Sequence, residues 1–497
     1  MLKKQTIYRH ARSIKQSTVK ILKTKHIVIS TIYSISIIAL TYILVLQNYE
    51  NLKNRIPFFY IFPWGEFQLT DKSNIWIFIM FSIVFFIINT VLSVKSLSSA
   101  NFYLSKLYSY FNALIITLIS VYTTRIVFIS TTKPIIFPQY IKLIIVPLVL
   151  AMVLTYLITP YVIKFAKNHG FVDDPLTHKH PAMLLTKPIP RAGGLAFYLG
   201  VITASLLVIP IYESQKLIGI LLGSLILVLT GLRDDKKDIN PYLRLFIQFF
   251  AISIVVLSGI ILMYLPNPFG DAIKLADYRY VIDYIGEHKI HYFSVLAAII
   301  WIWWTMNFMS FANGVDGVYA GLVTIVALII SIVMYKSIVN DADLALFTKF
   351  AAIIAGAGIG MAFFTWPPQK ILWGWGATAA GLMIAALSII GSTKIAVTLI
   401  VLMIPFLDGV FAIIRRLSRK QMPFFGDREH FHHKLLDDFG WNKQKIAMFY
   451  WSSTIILATI GILTSGKTRA IAFILIAMVI IIVLAFLNFG IKKHKNS

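Results

Sequence analysis

The chain has no cysteine, only 21 Asp and Glu among 497 residues, and a charged fraction of 13%. Without a thiol there is no structural disulfide, no thiolate zinc site and no cysteine nucleophile, which leaves carboxylates, imidazoles and bound metal as the available chemistry. Scarce charge at this length also excludes a soluble globular enzyme. Hydrophobic residues make up 58% of the chain, more than one or two cores can enclose. The 46 Lys and Arg outnumber the acids and leave a net charge of +25, an excess compatible with nucleic acid, an anionic lipid face or a phosphorylated substrate. The first apolar run follows a long basic stretch with no small-residue cleavage site behind it, so no cleaved signal is expected.

A helix crossing ~30 Å of hydrocarbon needs roughly 20 apolar residues. Fourteen such runs are present, at 27–46, 75–92, 113–129, 143–163, 195–212, 217–232, 245–265, 293–309, 318–335, 344–364, 377–390, 395–414, 446–463 and 470–489. They are continuous rather than alternating, which disfavours a membrane barrel. The expected fold is therefore all-α, a polytopic integral membrane protein with about 14 transmembrane helices. Eight Lys or Arg lie within residues 1–25, so the N-terminus is expected in the cytoplasm. Basic residues in the loops then favour the inside by better than two to one.

With that topology five polar clusters fall at cytoplasmic helix ends: DDPLTHKHPAMLLTKPIPR, GLRDDKKDIN, NFMSFANGVDG, WPPQK and FFGDREHFHHK. Adjacent Asp234 and Asp235 repel each other near lipid, a pair suited to a divalent metal or a shared proton; the alternative is a solvated helix cap balanced by Lys236 and Lys237. Arg244 sits one turn before Gln248 on the same face, and an arginine at that depth prefers a phosphate or carboxylate partner. Asn307, Asn313 and Asp316 are expected to face a polar cavity, where they can read a nucleobase or complete a metal shell; otherwise they cap a glycine-rich turn. His430 and His433 share a helical face beside His432 and Arg428. That spacing superficially fits zinc, yet three imidazoles with an arginine fit a phosphate clamp at least as well, or a basic loop touching lipid headgroups. Lys179, between His178 and His180, belongs to a basic loop ending at Gly193-Gly194 that can cover an anion. Asp408 lies seven residues before Arg415 and reads as its structural ion-pair partner.

Taken together, VDDP with PRAGG, GLRDDKKDIN with Arg244 and Gln248, NGVDGVYAG, and GDREHFHHKL resemble the polyprenyl-phosphate N-acetylhexosamine-1-phosphate transferases over about residues 140–465. The resemblance implies an 11-helix transferase core at 140–465, preceded by a basic arm and three extra helices (1–139) and followed by a last helix and basic tail (466–497). It implies a reaction in which the phosphate of a polyprenyl (undecaprenyl) carrier attacks the diphosphate of a UDP-N-acetylhexosamine, releasing UMP as the first membrane step of cell-surface glycan synthesis. Asp234 and Asp235 would be catalytic and hold Mg2+ or Mn2+. Asn307, Asn313 and Asp316 would bind the nucleotide, Arg428, His430, His432 and His433 the sugar and diphosphate, and Lys179 and Arg244 the lipid phosphate. Ser310 and Trp375 stand where the family carries metal-binding side chains, so the metal is held by the Asp pair and the substrate phosphates, held differently, or absent. The implied partners are both substrates and membrane lipids, not nucleic acid, with room for a homodimer. The implied place is the bacterial inner membrane with a cytoplasmic site. An inactive relative that binds lipid phosphate or nucleotide sugar as a scaffold is the alternative that Trp375 favours. A transporter would place ionisable residues at mid-membrane in paired repeats, and no such duplication is evident.

Overall fold

The structure, a computed structural model, describes residues 24–58, 68–99, 101–132, 138–175, 187–265, 267, 273–283, 287–338, 343–390, 394–420 and 429–485. It is nearly all-helical, and it divides into two units, 1–141 and 142–497.

The first unit holds α1 (Lys25–Asn48), α2 (Ile75–Ser98) and α3 (Phe102–Ser130), with a short β1–β2 pair (Arg55–Pro57, Leu69–Asp71). Its apolar core is small, built on Val45, Ile56, Ile75 and Ile126. Tyr49, Trp76, Phe78 and Tyr122 pack against it, and hydroxyl groups join the helices elsewhere. His26 Nε2 meets Ser105 Oγ at 3.1 Å, Ser30 Oγ donates to the Ser109 carbonyl at 2.6 Å, and Ser93 Oγ bonds both Ser105 and Ser109. Small hydroxylated side chains let helix backbones approach closely where lipid supplies no hydrophobic drive between them.

The second unit runs from α4 (Val146–Asn168) through α5 (Gly193–Val208), α6 (Gln215–Lys236), α7 (Pro241–Leu257), α8 (Tyr292–Phe311), α9 (Val318–Ser337), α10 (Leu344–Thr365), α11 (Ala377–Ile389), α12 (Lys394–Val401), α13 (Met403–Ser418), α14 (Phe431–Asp437), α15 (Lys443–Leu463) and α16 (Gly466–Ala485). Every residue of α11 is buried, its Ala and Gly stretch packed against α8, α6 and α9. α16 is the opposite case, with Leu484 its one buried residue among the described ones, so its apolar surface faces lipid.

Each of the fourteen apolar runs falls on a helix. Ten helices are long and apolar enough to cross a membrane alone, α5, α7 and α11 are shorter, and α12 with α13 form one run bent by 75°. The bend follows from Pro405, which has no N–H to offer the carbonyl four residues earlier. The run expected at 245–265 stops at Leu257, because Gly259 takes φ +95°, outside the helical region, and the chain leaves toward β5 (Tyr264–Leu265).

Candidate active site

The last turn of α6 carries Asp234 and Asp235, both buried. Asn240 caps α7 through the Tyr242 amide at 2.9 Å, with Pro241 in the first turn where its missing N–H costs nothing. That cap sets Arg244 one turn into α7. Its Nε donates to Asp234 Oδ1 at 2.6 Å, the same oxygen that accepts from the Ile239 amide at 3.0 Å. Asp235 Oδ1 accepts from Arg191 Nε at 2.8 Å and from the Trp375 amide at 3.2 Å. Each acid therefore has its own arginine.

Two chain segments far apart in sequence place Arg191 and Trp375. Leu372 donates its amide to the Pro190 carbonyl at 2.8 Å, and the Gly193 and Gly194 amides donate to the Leu372 and Trp373 carbonyls at 2.8 and 3.0 Å. Gly194 faces the Gly376 backbone so closely that a Cβ would collide with it. Gly374 sits at φ +64° with the Asp235 carboxylate where its Cβ would stand, so only glycine fits. β3 (Val172–Asp173) pairs with β4 (Ile189–Pro190), which brings Asp173 to 3.7 Å from Arg191.

Asp173, Arg191, Arg244 and Trp375 border a cavity of about 650 Å³, while Asp234 and Asp235 are not on its lining and connect to it through their arginines. Its lining carries polar groups, Arg191, Arg244, Arg416, Asn313 and His430, together with aromatic rings, Trp303, Trp304, Phe308 and Phe311 among them. Asn307 and Gln248 also line it, exchanging side-chain amide hydrogen bonds at 3.1 and 3.3 Å while Trp303 Nε1 donates to Gln248 Oε1 at 3.1 Å. The indole thus fixes which way the Gln248 amide points.

Of the remaining predicted residues, Asp316, His432 and His433 are not among those that line the cavity. Asp316 pairs with Lys443 Nζ at 2.9 Å. His432 is buried beneath Gly314, and neither ring nitrogen has a hydrogen-bond partner. Burial, then the neighbouring His433 and His430, push its titration well below the ordinary imidazole value, so it is neutral at pH 7. The His433 ring lies 4.4 Å from that of His432. Lys179 and Arg428 lie outside the described residues.

One expected pairing is replaced. Asp408 accepts from His430 Nδ1 at 3.0 Å and from the Phe431 amide at 2.9 Å, while Arg415 Nε pairs with Glu429 at 3.0 Å. The bend at Pro405 turns α13 so that Asp408 meets the start of α14, a contact that spacing along one helix cannot reveal. Sequence reasoning also passed over Arg416, which is only 4% exposed yet on the cavity wall. A residue eight positions after Asp408 lies about 80° past two helical turns, so helical spacing favours Arg415 and leaves no signal for Arg416.

Among the described residues no group of three or more His, Asp or Glu is arranged to hold a metal. The Asp pair still fits one mode of binding. Asp234 Oδ2 is buried without a hydrogen-bond partner, an uncompensated carboxylate oxygen. Mg2+ is commonly held by one or two carboxylates and completed by substrate phosphates and water, and the unpartnered Asp234 oxygen beside Asp235 is the donor such a site would use.

Residues 217–392 match the family model described as glycosyl transferase family 4. Over 332 residues the chain is 27% identical to a probable undecaprenyl-phosphate N-acetylglucosaminyl 1-phosphate transferase of Bacillus subtilis, covering 65% of this chain and 86% of the relative. It is 27% identical over 349 residues to a decaprenyl-phosphate N-acetylglucosaminephosphotransferase of Mycolicibacterium smegmatis, covering 64% and 80%. A phospho-N-acetylmuramoyl-pentapeptide-transferase of Helicobacter hepaticus is similar at 27% over 337 residues, covering 62% and 90%.

Proposed function

We propose that the chain, similar to glycosyl transferase family 4 over residues 217–392, transfers N-acetylhexosamine 1-phosphate from a UDP-sugar to a polyprenyl phosphate, releasing UMP, at the cytoplasmic face of a bacterial inner membrane. The observation that carries this reading is one cavity whose lining combines three arginines and an imidazole with several aromatic rings. A polyprenyl phosphate has the matching halves, an anionic head and an apolar chain.

In this reading an oxygen of the lipid phosphate attacks the phosphorus that carries the sugar. The bond from that phosphorus to the bridging oxygen breaks, and UMP leaves with the electron pair. Such transfer needs charge neutralised and reactants aligned more than covalent help. Arg244 and Arg191, anchored by Asp234 and Asp235, are pre-oriented and lose little freedom when phosphates arrive. His430 and Arg416, which line the same cavity, hold the diphosphate, and Asn313 with the Asn307–Gln248 amides binds the nucleotide. A divalent cation on Asp234 and Asp235 would add charge neutralisation at the reacting phosphates.

The test is purified full-length protein in detergent with polyprenyl phosphate and labelled UDP-GlcNAc or UDP-GalNAc, followed by UMP release and by label entering lipid. Both are expected together, and Asp235→Asn is expected to abolish both. No release with any UDP-sugar would overturn the reading.

A further inference from the structure

We propose that Asp408 is a positioning residue for His430, fixing which ring nitrogen the imidazole presents to the substrate cavity; the catalytic part of this proposal rests on the transfer reaction proposed above. Asp408 is buried in α13, and neither of its two carboxylate oxygens is spent on a surface cation. Oδ2 faces His430 Nδ1 at 3.0 Å and Oδ1 takes the Phe431 amide at 2.9 Å. A carboxylate only accepts at this contact, so Nδ1 carries the proton. With Nδ1 committed, any hydrogen bond from His430 to a ligand runs through Nε2.

The geometry holds the ring from several sides. His430 borders the cavity, its ring is 5.3 Å from that of Phe311, and the His432 ring is nearly parallel to it at 5.7 Å. α13 itself is pinned to α8, where Gly409 meets the Phe308 ring at a distance that excludes a Cβ. The acid is thus held by one helix and the imidazole begins another. Their bond lets the ring hold a phosphate through Nε2–H with the Asp408 charge opposite, the arrangement a carboxylate gives an imidazole in acyl-transfer enzymes.

Asp408 also caps α14 through Phe431, and the test must separate the two jobs. In Asp408→Asn the amide oxygen can keep the Phe431 bond, while its NH2 cannot accept from Nδ1–H. The expected result in full-length protein is an unchanged thermal midpoint, a KM for UDP-sugar altered less than about threefold, and kcat down roughly 10- to 100-fold, the scale of a lost charge-assisted hydrogen bond. The double variant Asp408→Asn/His430→Ala is expected to be no slower than His430→Ala alone. Losses that multiply, or wild-type kcat in Asp408→Asn, overturn the proposal.

A second measurement needs no turnover. In nitrogen-15 NMR of histidine-labelled protein, the His430 signal, assigned by its loss in His430→Ala, is expected to show Nδ1–H in the wild type and not in Asp408→Asn. A wild-type ring protonated at Nε2 alone overturns the proposal. Nδ1–H without any sugar transfer supports the Asp408–His430 pair and refutes the transfer reading instead.

Discussion

Replacing Arg191 with methionine removes the cation from a carboxylate that water barely reaches. The Asp235 side chain is 2% exposed and the Arg191 side chain 24%, with Nε 2.8 Å from Oδ1. Breaking a fully buried pair from one side costs about 3–5 kcal/mol because a charge is left uncompensated. Here one partner is partly wet and the Trp375 amide stays on Oδ1, so roughly 2–3 kcal/mol is expected at neutral pH. Neutralising the orphan should reverse most of that loss: Asp235→Asn in the Arg191→Met background keeps an oxygen for the Trp375 amide and removes the charge. Unfolding in detergent, followed by tryptophan fluorescence, is expected to show Arg191→Met well below wild type and the double variant close to it. Transfer is expected to stay lost in both. An Arg191→Met protein as stable as wild type, or a double variant no better than the single, would refute the idea that this buried charge depends on its arginine.

Three further outcomes follow. His432 titrates below its ordinary value in the folded chain, so the unfolded chain binds more protons below about pH 6.5, and stability is expected to fall as pH drops from 7 toward 5; His432→Leu should flatten that stretch of an unfolding profile. Gly194→Ala puts a methyl group into the Gly376 backbone and is expected to cost about 1–3 kcal/mol in the same assay, with loss of transfer because the 374–376 loop holds Asp235. Trp375→Asp places a third carboxylate beside the pair and is expected to tighten Mn2+ binding, read by electron paramagnetic resonance, on the order of tenfold; unchanged binding would move the cation elsewhere.

The helices were legible because lipid demands long apolar runs, and every run found a helix. What the runs could not carry was where they break. Gly259 and Pro405 act on backbone conformation without changing hydropathy, so the end of α7 and the bend before α13 were invisible to a count of apolar residues. Asn307, Asn313, Arg244 and His430 reached the cavity as their residue types and breaks in apolarity implied. Asp316, His432 and His433 do not line the cavity, because motif spacing says nothing about which way a side chain turns. The bond from Asp408 to His430 crosses 22 residues between two helices, and the Trp375 amide reaches Asp235 across 140. Only the folded chain brings such partners together.

The cysteine-free chain allows a direct measurement on the cavity itself. Single cysteines at Asn313, Trp375 and Ile413, from three separate segments of its wall, can be probed with a membrane-impermeant maleimide in sealed inside-out and right-side-out vesicles. All three are expected to react from the cytoplasmic side alone and to be shielded together by UDP-GlcNAc with polyprenyl phosphate. Labelling from opposite sides, or shielding at one position while the other two react unchanged, would contradict a single cytoplasmic cavity that holds both reactants.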